Sequence, residues 1–274
     1  MDAGVWADPH RVENEPFLMS RFANLEFGSE NEGESRRQSA GHDEPRCLAE
    51  AQAAFEQANF EASLRAFSKA LEFNPHSILA WSGQVRALIE LNEFSEAKLW
   101  ADKALERFPE EPLLLAAKAV ALARLGDTDA AMSYSDAAVE ARGDTSYVWL
   151  ARADVLLARK EKRADYCFDK ALALAPADWF VTWLAARIRA FYQQFTLALK
   201  LVQQALGTKP DHAVLWFMAG QCQFALGLMA AARASYEQAL QLDPRFHEAR
   251  HALTAISNTS LGAKLAGWWR RARS

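Results

Sequence analysis

Cysteine is scarce in this chain and forms no motif. Cys47, Cys167 and Cys222 are its three, far apart in 274 residues, with no C-x-x-C pair. That excludes a zinc ribbon or a dithiol redox motif. Each falls at a helical position, where a free Cys acts as a small hydrophobe. The pattern fits a reducing compartment, so a cytoplasmic protein is expected. No apolar stretch is long enough to span a bilayer. The N-terminus, with Asp2, Asp8, Pro9 and Glu13, lacks the basic start and apolar run of a signal peptide. There is no glycine-rich phosphate loop, nucleophile elbow or Ser/His/Asp set, so neither an enzyme nor a cofactor is expected. The net charge of −4 argues against a nucleic-acid binder.

What the chain has is a period. Pro75, Pro109, Gly143, Pro176, Pro210 and Pro244 are separated by 34, 34, 33, 34 and 34 residues. Trp81, Leu115, Trp149, Trp183 and Trp216 form a second grid of nearly the same step. A period near 34 residues means stacked helical hairpins rather than one globular core. Each period holds two apolar-periodic stretches with a short polar break, such as Asn92-Glu93. The second stretches align: Phe60, Phe67, Ala70 and Pro75 match Phe94, Ala101, Ala104 and Pro109, then Phe195, Val202, Ala205 and Pro210, then Met229, Tyr236, Ala239 and Pro244. The alanines allow close helix approach, and proline ends the second helix.

The segments FEASLRAFSKALEFNP at 60–75 and MAAARASYEQALQLDP at 229–244 resemble the tetratricopeptide repeat family, with WFMAGQ at 216–221 supplying a first-helix Trp and Gly. The resemblance covers about residues 45–257. It implies an all-α solenoid, a right-handed superhelix of stacked helix-turn-helix hairpins, with six repeats over 45–244 and a capping helix at 245–257. Gly143 stands where the other repeats have proline, and repeat four is one residue short before its second helix.

The resemblance also implies a concave face built from the first helices, where the family holds peptides. Helical spacing maps that face onto Leu150, Asp154, Leu157, Leu184, Ile188, Phe191, Tyr192, Phe217, Gln221 and Phe224. The family's chaperone-tail clamp needs Lys and Asn there. Ser82, Arg86, Ala116, Val120, Leu150 and Asp154 occupy those places instead, so that clamp is not expected. The implied function is a non-catalytic adaptor, scaffold or assembly chaperone binding an apolar peptide or amphipathic helix; the bland alternative is that several of these residues are core.

His247-Glu248-Ala249-Arg250-His251 matches H-E-x-x-H, the helical zinc motif. After Glu248 no Asp, Glu, His or Cys follows except His251, so a third ligand is lacking and a capping helix is expected instead. Arg159, Lys160, Lys162 and Arg163 make a basic turn, read as a solvated one.

The ends differ from the repeats. Residues 1–44 read as an acidic disordered head. Inside it, at 16–27, Phe17, Leu18, Phe22 and Leu25 share one helical face and form a docking segment, for the chain's own groove, for self-association or for another partner. The tail 258–274 combines Leu261, Leu265, Trp268, Trp269, Arg270 and Arg271 with no acid. Three readings stand: extra capping of the last repeat, contact with a partner, or contact with an anionic membrane surface by a peripheral recruitment factor.

Overall fold

A computed structural model of the chain describes residues 35–141 and 144–256, with side chains from residue 43 onward. The docking segment at 16–27, Gly143 and the tail at 258–274 lie outside the described residues. All described elements are helices: α1 Ser35–Glu56, α2 Phe60–Phe73, α3 Ile78–Glu90, α4 Phe94–Arg107, α5 Pro112–Leu125, α6 Thr128–Glu140, α7 Ser146–Ala158, α8 Ala164–Leu174, α9 Trp179–Phe191, α10 Phe195–Thr208, α11 Ala213–Ala225 and α12 Met229–Leu242. A further helix, α13, covers 247–256, where the capping helix is expected. Helix α1 starts ten residues before the expected boundary at 45 and carries Pro45 within it.

The helices divide into two compact units, Met1–Leu174 and Ala175–Ser274. In the first, each odd-numbered helix packs on the even one that follows, and α1, α3, α5 and α7 also touch in series. In the second, α9 to α12 pack in sequence order. Both are stacked hairpins, as the period requires.

The backbone repeats as closely as the sequence. Ala58, Asn92, Gly126, Lys160, Gln193 and Gly227 all take positive φ, spaced 34, 34, 34, 33 and 34 residues apart. Each sits just past the first helix of a hairpin, in the left-handed position that ends a helix. The next amide closes the motif: Asn59, Glu93, Asp127, Glu161, Gln194 and Leu228 donate to Ala54, Leu88, Leu122, Leu156, Arg189 and Gln223. Six turns therefore share one path, although only two of the six left-handed residues are glycine.

The proline and tryptophan grids are physically linked at two positions. The Trp81 indole N–H donates to the Pro75 carbonyl at 2.9 Å, and Trp216 to Pro210 at 2.8 Å. Arg250 does the same for Pro244 at 2.6 Å. The bond ties the first helix of a repeat to the end of the helix before it and satisfies a carbonyl past a helix end. The alanines of the second helices are buried: Ala70, Ala104, Ala171, Ala205 and Ala239 have no exposed surface, and neither has Ala138. In two hairpins a glycine makes room for a ring of the second helix: a Cβ on Gly83 would strike the Phe67 ring, and one on Gly220 the Tyr236 ring.

Candidate functional site

The first-helix face of the first unit is filled by its own side chains. Arg86 of α3 places its guanidinium 4.2 Å from the centre of the Tyr147 ring of α7, and 5.3 Å from that of Phe55 of α1. Burial disfavours the Arg86 charge, and Tyr147 and Glu90 offset part of that cost. Asp154, also on α7, is held by Arg124 of α5 through two bonds, Nε–Oδ1 at 3.0 Å and Nη2–Oδ2 at 2.6 Å. The side chains are 7% and 1% exposed, so this pair is desolvated and geometrically matched. Leu150 is buried beside it and Leu157 is half-buried. Two of the positions where the family's clamp would sit, Arg86 and Asp154, thus serve internal contacts. A second network fixes neighbouring helices, with Lys118 bound to Asp102 at 2.6 Å and donating to the Tyr134 hydroxyl at 2.6 Å.

Two of the four cations of the basic turn in repeat four, Arg159 and Arg163, are paired internally. Glu161 accepts from Arg159 at 2.8 Å and Arg163 at 2.5 Å, and Arg159 also reaches Asp129 at 2.6 Å. These partners hold the Glu161 carboxyl below its ordinary range. The sequence shows Glu161 in the middle of the four cations; what it does not show is Asp129, brought to Arg159 from the preceding hairpin.

The second unit presents a different face. On α9, Leu184 is buried while Ile188 and Phe191, with Tyr192 just past the helix end, are half-buried. Their spacing of three and four puts them on one stripe. Phe191 and Tyr192 meet edge to face at 5.1 Å. On α11, Phe217 and Gln221 are half-buried and Phe224 is exposed. Phe217 is committed to packing, stacked 5.6 Å from Tyr236 and 4.8 Å from Phe246. The starts of the two helices are tied by Trp179, whose ring lies 4.5 Å from His212. Charge is nearly absent from this stripe. Of the ten mapped residues, Leu150, Asp154 and Leu184 are buried and Phe217 is built into a packed cluster; the other six keep accessible surface.

His247, Glu248 and His251 are exposed on α13. No group of three His, Cys, Asp or Glu that could hold a metal occurs among the described residues. All three cysteines are buried and free, and burial pushes the Cys222 thiol up to about 12. No helix among the described residues is long and apolar enough to cross a membrane.

This architecture defines a helical-repeat protein. Family models described as tetratricopeptide repeat match residues 54–121 and 184–245. A tetratricopeptide repeat protein from Parabacteroides merdae has a similar fold, with TM-score 0.51 and 15% identity over 78% of this chain and 84% of that one. A thermophilic repeat protein of Thermus thermophilus gives TM-score 0.48 and 16% identity over 78% and 98%. YrrB, a repeat protein with an unusual peptide-binding site, gives 0.40 and 21% over 68% and 97%. Comparison with the curated proteins gives no match. The two matched stretches are tetratricopeptide repeats, and the remaining described helices continue the same hairpin stacking. Such repeats are protein–protein interaction modules, and the family's members are generally non-catalytic.

Proposed function

We propose that this protein is an adaptor, scaffold or assembly chaperone whose second unit holds an apolar peptide or amphipathic helix against α9 and α11. The observation that carries this reading is the contrast between the two first-helix faces. In the first unit that face is closed by Arg86, Tyr147 and the Arg124–Asp154 pair. In the second, Ile188, Phe191, Tyr192 and Gln221 leave an apolar stripe partly open to solvent. An amphipathic helix offers anchors at matching three- and four-residue spacing.

Fluorescence anisotropy with peptides selected on the purified protein tests this. A synthetic 16–27 peptide, with Phe17, Leu18, Phe22 and Leu25, is the first ligand to try and also tests self-association through the head. Replacing Ile188 by Asp together with Phe191 by Ser removes two apolar anchors and should weaken binding by about tenfold or more. Unchanged affinity in that variant, with helicity retained, refutes the site.

A further inference from the structure

The six hairpin turns differ at one informative position. The residue following the left-handed one is, in chain order, Asn59, Glu93, Asp127, Glu161, Gln194 and Leu228. Five are polar. Asn59 and Asp127 use their side chains to accept the amide of Ala62 and Ala130, capping the second helix of the hairpin. Glu93, Gln194 and Leu228 make no side-chain cap bond, and of these three only Leu228 is apolar. Leucine is among the poorest residues for that position.

Burial does not recover the loss. Leu228 is 50% exposed, and around it Phe224, Leu226 and Met229 are 40%, 38% and 44% exposed. Ala225, Gly227, Ala230 and Ala231 are exposed too. From Phe224 to Ala231 the surface has no polar side chain at all. A turn that exposes four large apolar groups side by side, with no internal compensation, points to something outside the fold.

Charge indicates what that is. Residues 175–274 carry 11 Lys and Arg against 5 Asp and Glu, whereas residues 1–174 carry 20 against 30. After Glu248 there is no acid, while Arg250, Lys264, Arg270, Arg271 and Arg273 follow, with Trp268 and Trp269 among them. The chain also leaves α13 at the same end as this turn. Ile256 packs with Ala232 and Tyr236, and Ala232 lies one helical turn, about 5 Å, from Met229.

We propose that the α11–α12 turn is a membrane-docking tip, placing Phe224, Leu226, Leu228 and Met229 in the outer layer of an anionic bilayer. The basic, acid-free C-terminal end supplies the second attraction that stable interfacial binding requires. A fluid apolar medium suits a turn without a surrounding wall, and anionic headgroups suit an end without acids. This surface lies at the far end of α11 from the bonded Trp216 and shares only Phe224 with the proposed peptide groove, so Leu226 and Leu228 can be varied without touching the groove residues.

Flotation of the full chain with vesicles of phosphatidylcholine, alone or mixed with phosphatidylglycerol, decides it. The protein should float with the mixed vesicles, less at high salt, and not with phosphatidylcholine alone. Leu226→Ser with Leu228→Asn should weaken flotation by about tenfold or more, since two apolar side chains no longer leave water. Leu228→Asn restores a good cap, so the melting temperature of that single variant should hold or rise, which excludes misfolding as the cause. Absence of flotation by the unaltered protein, or equal flotation by the double variant, overturns the proposal. So does an ultracentrifugation result in which the double variant abolishes a dimer while neither protein floats, because the turn then serves a second copy.

Discussion

Replacing Asp154 by Asn separates a structural pin from a binding residue. Its place on the first-helix face suggested contact with a partner, yet it is 1% exposed and clasped by Arg124 at 2.6 and 3.0 Å. With charge centres about 4 Å apart and an effective dielectric near 20, the attraction is about 4 kcal/mol. Asn keeps the shape and one acceptor but removes the carboxylate charge that the buried Arg124 guanidinium clasps. Breaking such a pair costs about 3–5 kcal/mol, and retention of a hydrogen bond puts Asn near the lower end. Replacing both residues, Arg124→Met with Asp154→Leu, removes the buried guanidinium as well and should return most of that loss. Urea unfolding followed by tryptophan fluorescence reads the cycle, with amide exchange over α5 and α7 localising it, since repeat arrays unfold in pieces. A cost below about 1 kcal/mol for Asp154→Asn, or a double variant less stable than the single, would refute the pin.

Gln84 is fully buried in α3, and neither amide atom has a hydrogen-bond partner; Gln84→Met should therefore stabilise by about 1–3 kcal/mol, measured by urea titration. Ala58 and Lys160 adopt positive φ at 56° and 58°; replacing either with Gly should raise stability by about 0.5–1 kcal/mol, because relief of the left-handed strain exceeds the added chain entropy. Burial raises the Cys222 thiol to about 12 and pushes the Tyr236 phenol up as well. Both are neutral when folded and ionise more readily when unfolded, so their stabilisation is complete below about pH 8.5 and declines as pH rises toward 12. Thermal melts across that range should show the decline, and Cys222 should resist thiol reagents at pH 8.

The hairpin architecture was legible because period and helix-breaking residues are local properties. Proline, tryptophan and the buried alanines each imposed their own rule at a fixed step. The Trp–Pro hydrogen bond explains why two of those grids keep a six-residue offset at 75 and 81, and again at 210 and 216. The left-handed grid was hidden, because Ala58, Lys160 and Gln193 look unlike the Gly126 and Gly227 that share their conformation. The face was only half legible. Helical spacing says which side a residue is on, but not that Arg124 reaches Asp154, or Arg159 reaches Asp129, across 30 positions. Spacing puts Phe224 on the groove face; that it also borders an exposed apolar turn emerges only on comparing six turns whose backbones coincide. That comparison was available in the sequence, at Asn59, Glu93, Asp127, Glu161, Gln194 and Leu228, once their equivalence was known.

Amide exchange with and without a tight-binding selected apolar peptide tests the central claim most directly. The account predicts new protection over 184–192 and 217–224, with α3, α5 and α7 unchanged because their face is already occupied. Protection confined to α3, α5 and α7, or none on α9 and α11 under saturating peptide, would contradict it.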